Sequence, residues 1–239
     1  MILYVNGDSH TAAAEAVNPF SFAEDDKLHW ALKRRPHPDN LAVSWGVTVA
    51  SILKMGFQID AESASSNARI IRTTKEWIEK TADTIPTSDV LMIIQWSTWE
   101  REEWLIDGEY FQVNASGVDD VPEDFKEKYK EYIVNIDWDI KTAEAYEEIQ
   151  HFHTYLNKLG YKHIFFNGNN SFQDIPEEYR SDFGASYINP YLPEGAFDGW
   201  LQLNGYNTVI TSNYHYGPAA HSAWAKQIIQ YIIEHKVIK

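Results

Sequence analysis

Two hydrophobic patterns alternate along the chain, and they predict different elements. Short continuous apolar runs occur in "ILYV" after the first residue, in "FQIDAES" from Phe57, in "DVLMIIQW" from Asp89 and in "YKHIFFNG" from Tyr161. Runs of this length read as strands, and the third is apolar enough to be buried on both faces of a parallel sheet. Between them, apolar residues recur at three- and four-residue spacing. Ile70, Ile71, Thr74, Trp77, Ile78 and Thr81 share one face of a helix that begins near Asn67. Ile149, Phe152, Leu156 and Leu159 share one face of a longer helix ended by Gly160. Pro218 suits a first helical position, and Trp224, Ala225, Ile228 and Ile232 form the inward stripe of the last helix. Two more helices are expected, one starting in "TAAAEAV" behind the first strand and a buried one in "LAVSWGVTVASILKMG", closed by Gly56 as its C-cap.

Strands alternating with helices imply an α/β fold in which a central parallel sheet is covered on both sides. Neither a repeat nor a linker divides the chain, so residues 1–239 read as one domain with insertions around 18–40 and 97–136. The second insertion is charged and aromatic, with a hairpin expected around "IDGEYFQV". The segment 170–199 is rich in turn residues and reads as irregular.

Charge and composition narrow the partners. A formal net charge of −15 argues against nucleic acid and against anionic membrane surfaces. With no cysteine, disulfides, zinc-thiolate sites and thiol catalysis are excluded. The apolar run at the N-terminus is short and lacks a basic flank, so a cytoplasmic protein is expected. The nine Trp are first of all core material. Trp96, Trp99 and Trp104, following the third strand, could alternatively stack on sugar rings.

The candidate chemistry lies in Gly7-Asp8-Ser9-His10-Thr11, at the carboxyl end of the first strand, where open α/β sheets place their sites. Ser9 reads equally well as a helix cap or as a nucleophile. A helix behind it would aim free N–H groups and its positive end at a developing oxyanion. A serine nucleophile needs a base. His151 and His153 point different ways on a helix, while His29, His37 and His163 read as solvated surface. His215 directly precedes the last helix, and His221 lies on its inward stripe, where a packed role is expected.

"GDSHT" after the first strand, with "HYGPAAHSAWA" leading into the last helix, resembles the SGNH/GDSL hydrolase family, some members of which are phage-encoded. The resemblance implies a flavodoxin-like three-layer sandwich, a serine esterase and no cofactor or metal. It makes Ser9 the nucleophile and His215 the base, with an oxyanion hole at Ser9, Asn67 and Ser97. Asp8, His10, Ser212, His221, Trp96 and Trp99 would give support or touch substrate. Three positions depart from the family's blocks. Asn67 stands where the second block has glycine, Ser97 where the third has asparagine, and Ser212 where the acid precedes the histidine. A backbone carbonyl or a distant acid such as Asp198 would then have to orient His215. The implied substrate is a small-molecule or saccharide ester, for example O-acetyl on a sugar. The alternatives are a catalytically impaired binding protein on the same scaffold and a nucleotide-binding flavodoxin-like domain. Against the latter, no glycine-rich phosphate loop follows any strand.

Overall fold

The computed structural model describes residues 1–17, 35–115, 117–210 and 214–238. Four parallel strands, β1 (Ile2–Asn6), β2 (Gly56–Ile59), β3 (Val90–Trp96) and β6 (Lys162–Asn167), form the central sheet in the order β2-β1-β3-β6. This is the flavodoxin-like order, which reverses direction between β1 and β3. The register runs Ile2–Asn6 against Val90–Ile94, and Leu91–Trp96 against Lys162–Asn167.

Strand alternation divides the core into two layers. Leu3, Val5, Leu91, Ile93, Ile164 and Phe166 face α2 (Trp45–Leu53) and α7 (Pro218–Glu234), packing with Trp45, Val49, Trp224 and Ile228. Tyr4, Met92, Ile94, Trp96 and Phe165 face α3 (Asn67–Thr81) and α5 (Trp138–Leu159), packing with Ile70, Trp77, Ile149 and Phe152. The result is a three-layer α/β sandwich. A two-residue turn at Asp107 (φ 51°) and Gly108 (φ 85°) joins β4 (Glu102–Ile106) to β5 (Glu109–Val113). Both turn residues need positive φ, which explains the Asp-Gly pair. Arg72 of α3 holds this hairpin by a two-pronged contact with Glu103 at 2.8 and 2.6 Å. Val113, Val121 and Tyr129, the last on α4 (Lys126–Val134), make a small cluster of their own.

Several expectations need correction. Residues 11–17 form turns instead of a helix. Ala13 (φ 52°) and Glu15 (φ 60°) are left-handed, a conformation that a right-handed helix cannot propagate. The apolar stretch 41–56 is split. A short α1 (Pro38–Ala42) ends before Ser44, whose hydroxyl caps α2, and left-handed Lys54 closes α2 while Gly56 begins β2. Leu159 lies outside the stripe of α5, being 40% exposed. α6 (Phe197–Leu203) begins in the last three residues of the segment read as irregular and runs beyond it. Most of the expected insertion 18–40, with His29, and Ser212 lie outside the described residues. Among the described residues, no helix is long and apolar enough to cross a membrane.

Candidate functional site

The carboxyl ends of β1, β3 and β6 meet around one buried amide. Gln95 Oε1 accepts from the Thr11 hydroxyl at 2.8 Å and the Thr11 amide at 3.2 Å, while its Nε2 donates to the Trp96 carbonyl at 3.1 Å. Gly7 and Gly168 flank that amide. A Cβ at Gly7 would lie 2.9 Å from Gln95 Oε1, and one at Gly168 2.5 Å from Nε2. Both strand ends therefore require glycine, and the turn after β1 is tied to β3.

Asp8 is the electrostatic centre of this turn, with its side chain only 1% exposed. Its Oδ1 accepts from the His10 amide at 2.9 Å; its Oδ2 accepts from the Ser97 hydroxyl at 2.8 Å and from Arg101 Nη1 at 3.0 Å. Burial pushes the carboxyl up, but the neighbouring His10 and Arg101, with the His10 amide and Gln95, outweigh it and hold Asp8 below the ordinary carboxylate value. The Ser97 amide donates to Asn67 Oδ1 at 2.8 Å. Since Asn67 opens α3, the helix end beside Asp8 belongs to α3, not to a helix following β1.

Ser9 is 7% exposed, and its carbonyl accepts from the Ala14 amide at 2.9 Å. His10, beside it, is buried, with Nε2 2.9 Å from Asn169 Oδ1 and its ring 5.8 Å from the ring of His215. Burial is the main influence lowering the His10 imidazole. His215 Nδ1 lies 2.8 Å from Glu15 Oε2. Asp198 is engaged by other groups: its carboxylate accepts from the Tyr216 hydroxyl at 2.5 Å and from Gln202 at 2.7 Å. His221 is buried against Phe197, and burial, reinforced by His10 and His215, pushes it down to about 3.

Other candidates fall elsewhere. Ser97 has its amide on Asn67 and its hydroxyl on Asp8, so it does not offer an oxyanion the free donor expected of it. Trp96 is wholly buried, edge-on to Phe152 and Phe165, and has no face for a sugar. Trp99 stacks on Phe172 at 4.8 Å and is buried as well. His163 is not solvated: it is buried and bonded to His153. Sequence reasoning missed Glu15, Arg101, Gln95 and Asn169. Only Asn169 carried a signal, in the asparagine-rich "NGNN" at a strand end. Among the described residues, no group of three or more His, Asp or Glu is placed to hold a metal ion.

Residues 35–186 match the model of DUF6071, a family of unknown function. The chain belongs to that family. The stretch matched to DUF6071 contains Asn67, Gln95, Ser97, Arg101 and Asn169, while Ser9, Glu15 and His215 lie outside it. No curated protein matches the chain. A solved acetyl xylan esterase from the rumen bacterium Butyrivibrio proteoclasticus is similar at 15% identity and a TM-score of 0.47, over 98% of this chain and 63% of that one. This chain thus spans less than two thirds of that esterase.

Proposed function

We propose that this DUF6071 protein is a serine ester hydrolase acting on a small acyl ester, such as O-acetyl on a saccharide. The observation that carries the reading is the meeting of the two ends of the chain. The His215 ring lies 5.8 Å from that of His10, the residue next to Ser9, at the carboxyl end of β1. In this reading the Ser9 hydroxyl attacks the acyl carbon and its proton passes to His215 Nε2. The amides of Ser9 and Asn67 receive the tetrahedral oxyanion, and no metal or organic cofactor takes part. Collapse breaks the ester C–O bond, and the departing alkoxide takes the proton from His215. Water, deprotonated by the same imidazole, then releases the acid and restores Ser9.

Treatment with a fluorophosphonate, followed by intact-mass analysis, tests the assignment. One adduct on the wild type and none on Ser9→Ala is the expected result. An adduct of equal yield on Ser9→Ala, or none on a folded wild type, would overturn it. The engagement of both Ser97 donors favours a second reading, a scaffold of this kind that binds an ester or saccharide without turning it over. That reading predicts ligand binding unchanged by Ser9→Ala and no adduct.

A further inference from the structure

We infer that Glu15 is the positioning acid of the site, supplied by the same turn that carries Ser9. The inference rests on the Ser9–His215 reading and extends it to a residue that neither the sequence motifs nor the family match assigns.

Three observations converge on Glu15. The first is geometric: Glu15 Oε2 lies 2.8 Å from His215 Nδ1, with the two side chains only 14% and 19% exposed. A carboxylate on Nδ1 fixes that nitrogen as the protonated one and directs Nε2 to the Ser9 proton. It also stabilises the imidazolium formed when that proton arrives.

The second is the backbone. Ala13 and Glu15 both hold left-handed φ, at 52° and 60°, within a stretch of alanines that would otherwise run on as a helix. Left-handed backbone strains a residue with a Cβ, and such strain persists where the surroundings impose it. Here the turn is anchored at both ends. Thr11 is bound to Gln95, and the Val17 amide donates to Asn40 Oδ1 at 3.0 Å. The reversal keeps Glu15 at the site, where it meets His215.

The third is elimination among neighbouring carboxylates. Asp8 is engaged by Ser97 and Arg101, and Asp198 by Tyr216 and Gln202. Among the described residues, each of these carboxylates has a distinct task, and the one on His215 is Glu15. Nucleophile and acid then belong to one short turn, with only the base coming from the far end of the chain.

The test compares wild type, Glu15→Gln, Glu15→Asp and Ser9→Ala by two readouts: the fluorophosphonate labelling rate, and the NMR resonance of the His215 Nδ1 proton, assigned with His215→Gln. Glu15→Gln should remain folded by circular dichroism, label Ser9 at least about 100-fold more slowly, and move the His215 Nδ1 proton resonance upfield. The comparable loss in a serine protease costs about 10⁴ in rate. Glu15→Asp should recover part of the rate, which a purely structural role does not predict. The inference is overturned if Glu15→Gln labels within about threefold of wild type or leaves the His215 Nδ1 proton resonance unchanged. Should Glu15→Gln fail to fold, Glu15→Asp decides by the same two readouts. A wild type that does not label at all overturns the Ser9 reading instead, a pattern distinct from labelling that survives Glu15→Gln.

Discussion

Ser97 spends its hydroxyl proton on Asp8, at 2.8 Å, and its amide on Asn67, also at 2.8 Å. A residue standing where an oxyanion donor is expected thus braces Asp8, the acid next to Ser9. Ser97→Ala removes a hydrogen bond to a buried carboxylate, which costs about 2 kcal/mol. It should therefore lower the urea midpoint while slowing Ser9 labelling less than about tenfold, against the 10²–10³ lost with a true oxyanion donor. A hundredfold loss of labelling at unchanged stability would restore Ser97 to the oxyanion hole.

Arg101 completes that brace from the start of the hairpin segment, 3.0 Å from Asp8 and 2.9 Å from Ser97 Oγ. Arg101→Met would leave the Asp8 carboxylate buried without its cation, a loss of about 3 kcal/mol. The Asp8 carboxyl should also titrate higher. The share of stability that the Asp8 carboxylate contributes, which the wild type keeps to below the ordinary carboxylate range, would then be lost earlier as pH falls. Equal urea midpoints for variant and wild type from pH 7 down to 4 would refute the brace.

How much of this was legible depended on whether local pattern and tertiary packing agreed. β1, β3 and β6 could be read because strands buried on both faces are apolar at nearly every position, and α3 and α7 because one face alone is buried. The Asp107-Gly108 turn declared itself through its need for positive φ. The segment 11–17 misled because alanine favours helix, whereas Thr11, Val17 and Glu15 are each held by partners distant in sequence. Ser9 and His215 were found as motif positions. Glu15, by contrast, is one glutamate in an alanine run, and nothing local distinguishes it. Aromatic content could not say which way a ring faces, so a stacking platform at Trp96 and Trp99 stayed open beside the core reading; both fill the core.

Gly168 illustrates how tightly the strand ends close on Gln95. A Cβ there would stand 2.5 Å from Gln95 Nε2 and 3.1 Å from the Trp96 carbonyl, and Gln95 is fully buried, so its amide has nowhere to swing. Gly168→Ala should cost about 1–3 kcal/mol by overpacking. Combining it with Gln95→Ala should cost less than the sum of the two single changes, because the second removes the clash. Chemical denaturation of the four proteins in the cycle measures this. Strict additivity would show that the Gln95 amide is not what excludes a side chain at Gly168.

At the opposite end of β6, His163 sets an acid limit on the fold. Its Nδ1 lies 3.1 Å from the Tyr161 carbonyl, so that nitrogen carries the proton and Nε2 accepts from His153 Nδ1 at 2.8 Å. His153 Nε2 in turn accepts from Asn157 at 2.9 Å. The chain of bonds closes with both rings neutral, and Phe165 and Phe183 pack against them. Burial is the largest influence on His163, and with His153 beside it the imidazole is pushed down to about 4 from an ordinary 6.5. The folded state thus refuses a proton that the unfolded chain accepts below 6.5. Stability is whole above that pH and is lost progressively as pH falls to about 4, by on the order of 3 kcal/mol for this group. His221, pushed down to about 3 inside the other core layer, acts in the same direction. Melting temperatures should therefore fall between pH 6.5 and 4, and His163→Leu, though less stable at neutral pH, should show a shallower fall. A His163→Leu protein whose melting temperature falls as steeply as the wild type's would place the acid sensitivity in other groups.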